Sequence, residues 1–138
     1  MFKLEIIIRG RYVKGLDRAR YFMNLEPYKR IFREFLGEDP YEGTFNIEVK
    51  DLSYRDLLNK CKPIEIRDFM YDGKIYGGLY IWLAEIKALG GVVLIRPFRS
   101  AHKDNVLEIV SNVKISERLK VKYDDEISVY VKCAREQR

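Results

Sequence analysis

Thr44 and Asn46 stand two residues apart in the stretch "GTFNIEV", residues 43–49, where apolar and polar positions alternate. Phe45, Ile47 and Val49 fall on one face of a strand, and Thr44, Asn46 and Glu48 on the other. Two rises of about 3.3 Å set the hydroxyl and amide oxygens roughly 6 to 7 Å apart along the backbone, close enough for both to reach one hard cation. Mg2+ bound to a nucleotide keeps several waters and takes only one or two protein oxygens, because the phosphates supply the charge. The plain alternative is a polar strand edge facing solvent.

Two other groups have chemical potential. Gly15, Leu16, Asp17, Arg18, Ala19, Arg20 and Tyr21 form a glycine-containing basic loop. Such a loop presents backbone N–H groups and guanidinium forks to phosphate, although an ordinary surface loop satisfies the same pattern. Ser100, His102 and Glu108 follow Pro97. Glu108 shares a strand face with Val106 and Val110, so it is either a half-buried acid with a partner or a surface residue. His102 is the single histidine, and a lone histidine more often makes a structural hydrogen bond than it moves protons. The chain has no catalytic triad, no His/Cys metal cluster, no Walker lysine and no Rossmann glycine pattern.

The elements that must position these groups are legible from periodicity. In "MFKLEIIIRG", Phe2, Leu4, Ile6 and Ile8 alternate with Lys3, Glu5 and Arg9, which predicts a half-buried first strand. From residue 24 to residue 36 the period changes: Tyr28, Ile31, Phe32 and Phe35 recur at helical spacing, with Pro27 suited to a first turn and Gly37 to the C-terminal stop. Ser53 followed by Asp56 predicts a short capped helix. Residues 64–86 read as two strands joined across Asp72-Gly73, and Gly77-Gly78 marks a bulge or a close backbone approach. "GGVVLIRP", "NVLEIV" and "EISVYVK" read as further strands, and "VKISERLK" as a helical turn or two. The sum is a mainly β chain of six or seven strands with one main helix and short helical turns, best closed into a barrel.

At 138 residues, with 47% hydrophobic and 34% charged, the chain is sized for one globular domain. Neither a signal peptide nor an apolar run long enough to span a membrane is present, so a cytoplasmic protein is expected. Cys61 and Cys133 are far apart in sequence, and both read as packing residues. The formal net charge is +5, and residues 9–33 carry eight basic residues against Asp17 and Glu26. An anionic partner should therefore meet this segment, unless it is only a solvated face. A non-enzymatic barrel binding nucleic acid would account for the charge and for Tyr12, Tyr21 and Phe22.

"G-L-x-x-x-R-Y-F" at residues 15–22, "L-G-x-x-P-Y-x-G-T-x-N" at 36–46, and "P-x-x-S-x-H" at 97–102 followed by Glu108-Ile109 occur in that order. This order resembles the archaeal CTP-dependent riboflavin kinases over nearly the whole chain. The resemblance implies a single riboflavin kinase domain over residues 1–138, a six-stranded cradle-loop β-barrel; the N-terminal winged helix that the family often carries is not expected, because strand one begins at Phe2. It implies transfer of the γ-phosphate of CTP to the 5′-hydroxyl of riboflavin, giving FMN and CDP with Mg2+. It assigns Thr44 and Asn46 to the metal, and Gly15, Leu16, Asp17, Arg18, Ala19, Arg20 and Tyr21 to the nucleotide. It also gives Val113, Lys114, Ile115 and Ser116 to the nucleotide, and Ser100 and Glu108 to the flavin. A monomer with no nucleic-acid or membrane partner is the corresponding expectation. The chain departs from the family pattern at Lys14, Asp17, Ala19, Ser100 and Ile115-Ser116.

Overall fold

A computed structural model describes residues 3–16 and 18–134. Nine strands and four helices follow one another among these residues: β1 (Lys3–Val13), α1 (Ala19–Met23), α2 (Glu26–Leu36), β2 (Phe45–Val49), α3 (Tyr54–Lys60), β3 (Ile64–Ile66), β4 (Phe69–Tyr71), β5 (Lys74–Tyr76), β6 (Leu79–Ile86), β7 (Gly90–Pro97), β8 (Val106–Val110), α4 (Ile115–Leu119) and β9 (Glu126–Ala134). The large sheet runs β3-β6-β7-β8-β2-β1-β9. Strand β9 pairs back onto β6 through Ala84↔Val131 and Glu85↔Tyr130, which closes six strands into an antiparallel barrel and leaves β3 outside as an edge.

Alternation decides which side chains fill the barrel. Phe45, Ile47 and Val49 point inward with Trp82, Leu94, Leu107, Ile109, Val129 and Val131. A second apolar layer lies outside the wall, where Met23, Tyr28 and Phe32 pack on Leu79, Ile81, Val93, Ile95 and Val110. Strands β6, β7 and β8 are thus covered on both faces over much of their length, which is why "VVLI" reads as an unbroken apolar run. In β1 the expected inward face is buried at Ile8 and exposed at Leu4; Phe2 lies outside the described residues.

The helix predicted over residues 24–36 is α2, and the short α1, which periodicity did not indicate, precedes it. Asn24 Nδ2 donates to the Arg20 carbonyl at 2.9 Å at the end of α1, and α2 starts afresh at Glu26 with Pro27 in its first turn. Gly37 ends α2 at φ 78°, the left-handed conformation that favours glycine. The Ser53–Asp56 capping box opens α3 as expected. The predicted pair of strands over 64–86 becomes four. The Asp72-Gly73 turn has both φ values positive and joins β4 to β5, while Gly78 lets β6 start against the end of β3. A Cβ at Gly78 would stand 2.1 Å from the Ile66 carbonyl oxygen.

The reading of Cys61 and Cys133 as simple packing residues is corrected by the structure, which joins them in a buried disulfide. Separation along the chain concealed it. The end of α3 lies against β9, bringing the two Cα atoms to 5.3 Å, within the range a disulfide spans.

Candidate active site

One row of register crosses the outer wall of the barrel: Val13 opposes Asn46, Asn46 opposes Glu108, Glu108 opposes Ile95, and Ile95 opposes Ile81. Directly opposed residues of antiparallel strands share a face, so two polar side chains stand in the middle of an apolar row. Both are deeply covered, Asn46 at 5% exposure and Glu108 at 9%. Asn46 Nδ2 makes a long contact of 3.5 Å to the Thr44 carbonyl, and Asn46 Oδ1 has no partner among the described residues. A buried polar atom without a partner costs roughly 1–3 kcal/mol, so this oxygen points to a ligand.

Thr44 lies just before β2 and donates its hydroxyl proton to Glu108 Oε1 at 3.0 Å. That donation leaves the hydroxyl lone pairs for another group. Burial pushes the Glu108 carboxyl up from its ordinary value, opposed by the Thr44 hydrogen bond and the charge of Arg96. The loop after β1 covers Asn46 from above. A Cβ at Gly15 would lie 2.4 Å from Asn46 Nδ2, so any side chain there would push the Asn46 amide aside.

Two cavities meet at this row. One, of about 460 Å³, is largely apolar and includes Phe22, Met23, Phe32, Leu79 and Ile95 in its wall. The other, of about 370 Å³, is basic and polar, with Lys14, Gly15, Arg18, Arg20, Asn46 and Lys114 in its wall. Thr44, His102 and Glu108 line both, with Leu16, Arg18 and Ala19 above them. A small third cavity of about 60 Å³ adjoins the basic one at Tyr12, Tyr41 and Lys114, and is lined by Val113, Ile115 and Ser116. Its floor is fixed by Ser111, whose carbonyl accepts from Tyr41 N and whose hydroxyl accepts from Val113 N.

Most of the residues singled out from sequence therefore converge. Gly15, Leu16, Arg18, Ala19, Arg20, Thr44, Asn46, Glu108 and Lys114 line the basic cavity, and Ser100 lines the apolar one. Tyr21 lines neither; it is exposed and packs edge-on against Phe22. Asp17 lies outside the described residues. Among the described residues no three His, Cys, Asp or Glu side chains group to hold a metal ion. A cation here would take the neutral Thr44 and Asn46 oxygens, a donor set that suits Mg2+ already carrying phosphate.

A family model described as a domain of unknown function, DUF120, and labelled for the CTP-dependent riboflavin kinases matches residues 12–131. The chain belongs to that family. A protein named riboflavin kinase from Ignicoccus hospitalis is 33% identical, covering 91% of this chain and 71% of its own length. One of the same name from Methanococcus aeolicus is 35% identical over 82% of this chain and 88% of its own. A third, from Archaeoglobus fulgidus, is 32% identical over 91% of this chain and spans further, with 54% of its length covered.

Within this riboflavin kinase fold, periodicity gave no hint of Arg96. Its guanidinium is buried, lies over the Tyr54 ring at 4.5 Å, and donates to the carbonyls of His102, Lys103 and Val106 at 3.0, 2.8 and 2.9 Å. These bonds hold the loop that carries Ser100 and His102. Burial and the Arg96 charge keep the His102 imidazole below its ordinary value, favouring the neutral ring. An arginine next to a proline at a strand end was the available sign, and it resembles any solvated strand terminus.

Proposed function

We propose that the chain transfers the γ-phosphate of CTP to the 5′-hydroxyl of riboflavin, giving FMN and CDP, with Mg2+ accompanying the nucleotide. The observation that carries this reading is the seam: an apolar cavity and a basic cavity share Thr44, His102 and Glu108, with the unpartnered Asn46 Oδ1 beside them. Phosphoryl transfer asks a protein mainly to align two substrates and neutralise charge, and a junction between an apolar and a cationic chamber does both.

In this reading the triphosphate lies along Lys14, Gly15, Arg18 and Arg20, with the nucleoside toward Val113, Lys114, Ile115 and Ser116. Ring and ribityl chain occupy the apolar chamber, and Ser100 and Glu108 receive the ribityl hydroxyls. Thr44 Oγ1 and Asn46 Oδ1 would hold Mg2+, which when bound neutralises part of the phosphate charge. Among the described residues the ion pairs that these basic side chains make are loose and exposed, Arg20 with Glu42 at 3.8 Å and Lys114 with Glu117 at 3.4 Å, and such pairs yield readily to phosphate. Action as a cytoplasmic monomer belongs to the same proposal.

The test is chromatographic detection of FMN after incubation with riboflavin, Mg2+ and each of CTP, UTP, ATP and GTP. FMN formed best from CTP supports the proposal. Absence of FMN with every triphosphate, together with salt-sensitive binding of single-stranded RNA, would establish a nucleic-acid-binding barrel instead.

A further inference from the structure

The apolar cavity has one charged feature that the proposed reaction leaves unused. Asp68, between β3 and β4, and Arg99, just after β7, face each other at the cavity wall as a two-pronged pair. Arg99 Nη1 donates to Asp68 Oδ1 at 2.9 Å and Arg99 Nη2 to Asp68 Oδ2 at 2.6 Å. The pair is anchored to the barrel, since Asp68 Oδ1 also accepts from Gly78 N at 2.8 Å. Both side chains are partly open to solvent, Asp68 at 38% and Arg99 at 70%, so they stand at the mouth. The depth of the cavity is different in kind: Met23, Phe32, Leu79 and Ile95 there are all nearly fully buried and apolar.

The hydrogen-bonding capacity of the pair is not exhausted. Among the described residues, two of the five Arg99 N–H groups are used, and Asp68 Oδ2 accepts a single bond. A donor and an acceptor therefore lie side by side, fixed in direction by each other. That is the complement of an imide edge, which offers C=O, N–H and C=O in one plane. A flavin ring carries such an edge on its pyrimidinedione end and two methyl groups on the opposite end. Apolar depth and polar mouth together select one of the two ways a flavin could enter.

We infer that Asp68 and Arg99 read the pyrimidinedione edge of the flavin, with the dimethylbenzene end buried against Met23 and Phe32 and the ribityl chain directed to Glu108. The assignment rests on the flavin reading of this cavity and adds to it an orientation and two specificity residues. A pocket that fixes a planar ligand with a few placed polar groups among apolar ones rejects analogues that cannot make those bonds.

The experiment titrates riboflavin and N3-methylriboflavin, by quenching of flavin fluorescence, against the wild type, Arg99→Ala and Asp68→Asn. Wild type is expected to bind the N3-methyl compound roughly tenfold more weakly than riboflavin, the loss of about one hydrogen bond with its partner left unpaired. In Arg99→Ala and Asp68→Asn riboflavin itself should weaken by a similar factor. Methylation should then change affinity less than about twofold in Asp68→Asn, which lacks the carboxylate acceptor for N3–H. It should still weaken Arg99→Ala, where the Gly78 N–H keeps Asp68 in place. The nucleotide KM should be unchanged in both variants, and a riboflavin lacking the ring methyl groups should lose affinity equally in all three proteins. If wild type binds both flavins alike, or methylation weakens wild type and Asp68→Asn equally, the pair is a structural clasp and the inference is wrong. If wild type binds no flavin, the reading of the cavity itself fails, which is a different result from flavin binding that ignores N3.

Discussion

Thr44→Val and Asn46→Leu each keep a shape suited to their place beside or within β2 while removing one oxygen from the seam. Turnover in a coupled FMN assay should fall by about 2–4 kcal/mol of transition-state stabilisation in each variant, with riboflavin affinity nearly unchanged. Rates unchanged from wild type in both variants would take the metal away from this face. The alternation of residues 43–49 was enough to put the two side chains on one side. It could not show that this side is covered, because the cover comes from Gly15 and from Glu108, which pairs with Asn46 across 62 residues of chain. Asp68 offers a separate test at the same scale. The Arg99 hydrogen bond, then the Gly78 N–H, holds its carboxyl well below the ordinary value. As pH falls, the unfolded chain takes up this proton first, so the stability from the pair is present above the ordinary carboxylate value near 4 and is lost below it. Melting temperatures measured from about pH 6 to about pH 3 should decline less in Asp68→Asn than in wild type.

At the scale of elements, the turn from Pro97 into β8 gathers three carbonyls on one buried side chain. Replacing Arg96 by Leu leaves the carbonyls of His102, Lys103 and Val106 without that donor. The cost should be on the order of 3 kcal/mol, read from the urea midpoint, and the riboflavin KM should rise because Ser100 is no longer fixed. Strands and the main helix were readable because each buries a face with its own period, 2 or 3.6, within a few residues. The short helix α1, ahead of the main one, was not. Arg20, Tyr21 and Phe22 are all exposed, so α1 shows little of the helical apolar stripe that marks α2. The β3–β6 region was half legible: the Asp72-Gly73 turn announced itself, while the break near Asp68 depends on a bond to Gly78 and on Arg99, 31 positions away.

For the molecule as a whole, the Cys61–Cys133 disulfide ties α3 to the strand that closes the barrel and bridges a separation of 72 residues. Chain-entropy reasoning gives about 4 kcal/mol for a closed loop of that length. Reduction or Cys133→Ser should lower the urea midpoint accordingly. Both sulfur-bearing residues are buried, so native protein should resist a thiol reductant until denaturant is added. Closure by β9 has a further consequence, in time rather than in space. Strand β9 meets β1 from Lys3↔Ala134 to Arg11↔Glu126 and also meets β6, so the first described strand waits for the last. During synthesis the edges of β1 and β6 stay unpaired until residues 126–134 leave the ribosome. A chain ended before Glu126 should expose two open strand edges and be recovered in the insoluble fraction. On that expectation β9 is a checkpoint: a polypeptide that lacks it should leave the seam unassembled and end as aggregate rather than as a half-competent enzyme.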